Sequence, residues 1–298
     1  MPFVAARIGS FVLAGVLLGA LSTHIVTRDT PSSGMTDVAA SQETASSWVE
    51  AMSSRVRIVS SQTAIGEGQF LLGVHMAMDD GWKTYWRNPG DSGFPPRFDW
   101  SGSQNIKSID LLWPAPHVFD EMGERYYGYK HELLLPVKLT VNDPTKPITL
   151  SLKMDYGICS DVCIPAHIVT ELLVPAGSAQ SAAAATLIEE SLARLPTVMH
   201  KTGWGASARL SDISGHRAQL IIALTERPDG ASRTFSPNMV IVTGPPGTYV
   251  SASQPLEDKG FSVSLEADVP EALRGQLVNL VFLGSDGDAA LEGMFRIE

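Results

Sequence analysis

Cys159 and Cys163 are the only cysteines among 298 residues, and they lie four positions apart in MDYGICSDVCIPAHI, Met154 to Ile168. Thiols at this spacing can form a structural bridge, cycle between dithiol and disulfide, or bind a soft metal ion. As a staple the bridge contributes little, because chain-entropy arguments give roughly 2 kcal/mol for so short a ring. A small ring at a loop tip is exposed and readily reduced, which favours redox exchange. The metal alternative has a specific form. Cys159, Cys163 and His167 follow C-x3-C-x3-H, and thiolate with imidazole suits copper or zinc. His75 with Met76 and Met78 is a second soft-ligand trace, although both methionines fall on the apolar face of a strand pattern, where packing is expected.

The flanking sequence must position the pair, and it alternates with period two. Phe70, Leu72, Val74, Met76 and Met78 share one face, as do Leu133, Leu135, Val137, Leu139 and Val141. Pro136 inside the second run suggests an edge strand or a bulge. Ile148, Leu150, Leu152, Met154 and Tyr156 repeat the pattern, and Ile168, Thr170, Leu172 and Val174 complete a hairpin. With strands ending near Tyr156 and restarting near Ala166, both cysteines are expected in the connecting loop. The half reads as an antiparallel β-sandwich.

An Ala-rich stretch, Ala182 to Leu195, is expected to be helical and is stopped by Pro196. Strand-like runs resume beyond Gly205 with HRAQLIIAL, NMVIVT, FSVSLEA and LVNLVFL. The expected organisation is a signal peptide or N-terminal anchor over 1–25, a disordered tether over 26–46 and a β-sandwich over 47–176. A short helical linker over 177–203 and a C-terminal β-domain over 204–298 follow. The leader rests on the apolar run Ile8 to Leu21 behind Arg7, too short for a membrane span. Export to an oxidising compartment lets a disulfide persist.

A net charge of −10 with no Lys/Arg cluster argues against nucleic acid and against an anionic membrane surface. The Gly-Asp-Ser-Gly string in NPGDSGFPP, Asn88 to Pro96, is shared with serine-protease nucleophiles. Only His24 and His75 precede Ser92, and the Pro/Gly density reads as a tight turn before a strand.

Four motifs together resemble one family. They are GWKTYWRNPGDSGFPP (Gly81 to Pro96), WPAP (Trp113 to Pro116), ERYYGYKHELLLPV (Glu124 to Val137) and YGICSDVCIPA (Tyr156 to Ala166). In this order they resemble the N-terminal periplasmic domain of the electron transporter DsbD, in its ScsB-like branch. The resemblance covers about Ser47 to Val174 and is weak beyond Ala176.

The resemblance implies an immunoglobulin-like sandwich acting as a periplasmic thiol:disulfide oxidoreductase of the protein-disulfide reductase type, with no cofactor. Its implied partners are thioredoxin-like or disulfide-isomerase-like proteins. It implies that Cys163 forms the mixed disulfide and Cys159 resolves it, under a cap loop of Glu124, Arg125, Tyr126 and Tyr127 with Tyr126 as the cap. Asp155 and Asp161 are expected to oppose thiolate formation, and His167 or Arg125 to favour it. The sequence departs from the family in its three-residue spacer, where five is usual, and in Tyr126, where Phe is usual. Without transmembrane and thioredoxin-like modules, the electron donor is expected to be a separate membrane protein. The alternative is a copper-binding protein or metallochaperone using Cys159, Cys163 and His167.

Overall fold

Period-two alternation becomes paired strands throughout. A computed structural model describes residues 44–66, 68–121, 123–176, 181–226, 235–284 and 289–298. The expected leader, the tether up to residue 43 and linker residues 177–180 lie outside the described residues. Everything described belongs to one unit, Ser41–Glu298.

The first sandwich begins with β1 (Val49–Ala51), β2 (Ser54–Gly66), β3 (Gln69–Met78) and β4 (Lys83–Gly90). It continues with β5 (Arg97–Asp99), β6 (Ile106–Leu111), β7 (His117–Glu121) and β8 (Glu124–Lys130). Then come β9 (Glu132–Val141), β10 (Ile148–Cys159) and β11 (Cys163–Val174). One sheet has the order β1-β2-β3-β9-β6, and the other β11-β10-β4-β8-β7 with β5 beside β10. Their inner faces supply Ile58, Leu72, Trp86, Leu135, Leu150 and Tyr156, all essentially without exposure. This is the antiparallel sandwich that the alternation predicts, of the immunoglobulin-like type that the family resemblance implied.

Pro136 does not mark an edge, since β9 pairs with both β3 and β6. The Pro136 carbonyl accepts from Leu112 N at 2.9 Å, so the missing N–H faces the β6 side. There the β6 ladder has already ended at Leu111–Val137. Proline is tolerated because no ladder bond is lost.

The helix α1 (Ala182–Leu192) forms where expected, capped by Ser181, which accepts from Ala184 N at 3.3 Å. It is docked rather than free. Ala184 and Ile188 pack on Val59 and Leu134, which point outward from β2 and β9, and Ser191 Oγ donates to Leu134 O at 2.5 Å.

The second β-region contains β12 (Thr197–Val198), β13 (Trp204–Ser214), β14 (Arg217–Glu226), β15 (Pro237–Thr243) and β16 (Tyr249–Val250). It ends with β17 (Gln254–Pro255), β18 (Gly260–Glu266), β19 (Leu277–Gly284) and β20 (Ala290–Arg296). One sheet runs β12-β20-β19-β15 and the other β13-β14-β18-β16, with β17 beside β18. The first of these sheets is covered on both faces. Val240, Val242, Leu280 and Phe282 enter the local core, while Ile241, Val281 and Leu283 join the core of the first sandwich. Two-sided burial explains the unbroken apolar runs MVIV and LVFL.

Candidate functional site

The cysteine hairpin extends further than its sequence suggests. The β10–β11 ladder continues beyond Tyr156–Ala166 through Ile158–Ile164 to Cys159–Cys163, so the cysteines are the last register pair and not loop residues. Ser160, Asp161 and Val162 close the turn, with Ser160 N donating to Val162 O at 3.1 Å. The two residues are disulfide-bonded, with Cα atoms 4.2 Å apart. Alternation places Ile158 and Tyr156 inside and both cysteines on the outer face of the sheet. The halves of the bridge are unequal: Cys159 is 2 % exposed, whereas Cys163 is open to solvent.

The strand next to β10 supplies the floor of the site. Register pairs Lys83 with Cys159 and Thr84 with Ile158, so Lys83 and Tyr85 lie on the outer face with the sulfurs. The Tyr85 hydroxyl is 3.0 Å from Cys163 Sγ and 3.2 Å from Cys159 Sγ. The NPGDSGFPP segment then folds over that ring, doing more than turn the chain. A Cβ on Gly93 would lie 2.7 Å from the Tyr85 ring, and one on Gly157 would meet Phe94 at 3.0 Å and Tyr85 at 3.1 Å. Gly90, at φ +91°, lets this loop approach the β8 backbone, where a Cβ would lie 2.4 Å from Arg125 O.

The β7–β8 hairpin carries the residues expected to form a cap. The Tyr126 ring meets Tyr85 edge-on at 5.9 Å and stacks on Phe119 at 5.4 Å. Its hydroxyl donates to Glu121 and accepts from Lys83 Nζ at 2.7 Å, while Lys83 also bonds Glu121 at 2.6 Å. Of the other expected cap residues, Glu124 accepts from Ser92 Oγ, and Arg125 pairs with Asp120 at 2.5 Å. The Arg125 backbone N–H donates to Asp91 Oδ2 at 3.0 Å. Tyr127 points the opposite way into the core and does not face the sulfurs; burial pushes its hydroxyl up to about 12.

Charges are distributed differently from expectation. Asp155 and His167 are a register pair bonded to each other at 2.7 Å. They lie four residues along the hairpin from the cysteines, an advance of about 13 Å. His167 is therefore not gathered with the two sulfurs, as a three-ligand metal site requires. Among the described residues no group of three His, Cys, Asp or Glu is placed to hold a metal ion. Met76 and Met78 sit in the core, and His75, behind the other sheet, bonds Arg57 and Glu132. Asp161 is exposed at the turn, and Arg125 is engaged by carboxylates.

The cation in register with Cys159 is Lys83, which the sequence reading missed together with Tyr85, Phe94 and Glu121. Burial works against the Lys83 charge, but the hydrogen bonds to Glu121 and Tyr126 outweigh it and leave its pKa raised. Those bonds, Lys83 first and Tyr126 second, hold the Glu121 carboxyl below the usual carboxylate range. One signal was present in GWKTYWR. Lys83, Tyr85 and Arg87 alternate with Trp82, Thr84 and Trp86, the pattern of a strand with one polar face.

The fold and site define an immunoglobulin-like sandwich that carries a half-exposed disulfide at a hairpin end, beside the ring cluster of Tyr85, Tyr126 and Phe119. Residues 55–175 match the family described as thiol:disulfide interchange protein DsbD, N-terminal. No curated protein matches the chain. The chain is similar in fold to the N-terminal periplasmic domain of ScsB from Proteus mirabilis. The TM-score is 0.63 at 19 % identity, over 85 % of this chain and 98 % of that chain. That coverage extends well beyond residue 175, so the shared fold includes the second β-region although the sequence resemblance fades there. Family and cysteine pair together support thiol–disulfide exchange. No helix among the described residues is long and apolar enough to cross a membrane.

Proposed function

We propose that the protein is a periplasmic thiol:disulfide oxidoreductase that passes reducing equivalents between a donor and thioredoxin-like partner proteins through Cys159 and Cys163. The observation that carries this reading is the unequal exposure of the two sulfurs of the bridge. An attacking thiol must reach its target, and a resolving thiol need reach only its neighbour. Cys163 is open and Cys159 is 2 % exposed, which fits those roles in that order.

In the reducing direction, the Cys163 thiolate attacks one sulfur of a partner disulfide, and the other partner sulfur leaves as thiolate. Cys159 then attacks Cys163 Sγ, forming the Cys159–Cys163 bond and releasing the second partner sulfur. Two electrons pass to the partner. A donor dithiol restores the pair by the reverse sequence. Tyr85 is placed to donate a hydrogen bond to whichever sulfur carries charge, and the Tyr126 cap limits access to partners able to displace it. Residues 1–25 would direct export.

Redox titration with thiol alkylation tests the reading. A pair that equilibrates in glutathione or dithiothreitol buffers above about −300 mV supports exchange. One that stays oxidised well below that value is a structural bridge.

A further inference from the structure

Register places four side chains in one row across the outer face: Lys130 on β8, Lys83 on β4, Cys159 on β10 and Cys163 on β11. Neighbouring strands lie about 4.8 Å apart, so a lysine stem on β4 spans the distance to Cys159 on the adjacent strand. The Lys83 side chain is only 12 % exposed, and a charge so shielded acts more strongly than one in bulk water. Its bonded partners, Glu121 and Tyr126, both belong to the cap hairpin and not to the cysteine hairpin. When the cap lifts to admit a partner, those bonds move away with it, and the ammonium stays on β4 beside Cys159. Reduction replaces the bridge with two thiols, either of which becomes an anion on losing its proton.

We infer that Lys83 is the positioning cation for the reduced pair's thiolate, and that the cap hairpin competes for it through Glu121 and Tyr126. This rests on the exchange reading. Closure then withholds the charge that makes the sulfurs reactive. The other titratable groups around the pair are Tyr85 on β4, Glu124, Tyr126 and Lys130 on β8, Asp161 in the turn, and the Asp155–His167 pair further along the hairpin. Of the two lysines, Lys83 is the one next to Cys159, and Lys130 is one strand further away.

The test is the pH profile of thiolate absorbance and alkylation in the full chain, reduced with excess dithiothreitol and then desalted. Lys83→Gln is expected to raise the thiol pKa by about one unit, the size of a lost opposite charge at close range. Lys83→Arg is expected to restore it, which separates charge from any loss of fold. Glu121→Gln should lower the pKa in the wild-type background, and this effect should vanish when Lys83→Gln is also present. A Lys83→Gln profile that superimposes on wild type overturns the assignment. An equal Glu121→Gln effect in both backgrounds overturns the competition, because Glu121 would then act on the sulfurs directly. Redox titration of the unmutated protein is read separately. A pair that equilibrates there while Lys83→Gln changes nothing rejects Lys83 alone, and a pair that stays oxidised rejects exchange itself.

Discussion

The Tyr85 hydroxyl sits 3.0 Å from the Sγ of Cys163, the solvent-facing half of the bridge, and 3.2 Å from the Sγ of Cys159. Burial, the largest influence, pushes its pKa up against the opposing charge of Lys83, so the phenol keeps its proton and remains a donor. A hydrogen bond to a charged group contributes about 1.5–3 kcal/mol. Tyr85→Phe keeps the ring against Gly93 and removes only the donor. Stopped-flow exchange with a model disulfide near neutral pH should slow by about tenfold, while the melting temperature of the oxidised protein changes little.

Tyr126 divides into a ring that stacks on Phe119 and a hydroxyl that ties the hairpin to Lys83. Tyr126→Ala removes both, and reduction of the disulfide by dithiothreitol should accelerate markedly. Tyr126→Phe keeps the stacking on Phe119 and loses the bonds to Lys83 and Glu121. Its acceleration should be smaller but measurable, because the cap loses a charge-assisted tie and opens more often. Equal rates in wild type and Tyr126→Ala would show that Tyr126 does not shield the pair.

The cap should loosen in acid. Glu121 has a depressed pKa, caused first by the Lys83 hydrogen bond and then by Tyr126. A depressed carboxylate stabilises the closed form fully above its ordinary pKa, and that contribution is lost as pH falls through the lowered value. Amide exchange measured between pH 5 and pH 2, corrected for intrinsic rates, should show β7–β8 losing protection before β2–β3. Glu121→Gln should remove the difference.

How much of this was readable depends on how far apart in sequence the partners are. Alternation in Leu133–Val141 and Ile148–Tyr156 reports a strand face directly, so the sandwich was legible. The ends of the cysteine hairpin were not, because Gly157 and Pro165 are poor strand residues and signal a loop. They are tolerated here because Gly157 makes room for Phe94 and Tyr85. Cap residue Tyr126 came from family resemblance, whereas Lys83 and Tyr85 needed the β4–β10 register, a pairing across more than seventy residues. Tyr127 was expected in the cap loop beside Tyr126, and strand alternation sends it to the other face. The docking of the second β-region was likewise invisible, since Arg87 meets Glu292 only in three dimensions.

That contact carries its own prediction. Arg87 follows the site residues along β4 and bonds Glu292 on β20, while Asn88 Nδ2 donates to Val242 O and Thr243 Oγ1, each at 3.0 Å. The ion pair is partly exposed, so screening limits its contribution to about 1 kcal/mol. Urea denaturation of Arg87→Ala should show a loss of about that size. In the double variant with Glu292→Gln, the losses should sum to more than the combined effect, as expected for direct partners.

The most direct test of the central claim is mixed-disulfide trapping with single-cysteine variants. Reduced Cys159→Ala and Cys163→Ala proteins are each mixed with an oxidised thioredoxin-like protein and resolved on a non-reducing gel. Cys159→Ala, which keeps the exposed Cys163, should accumulate a covalent adduct that dithiothreitol releases, and Cys163→Ala should give little. An adduct through Cys159 alone would contradict the assigned roles, and no adduct from either variant would contradict thiol–disulfide exchange as the protein's function.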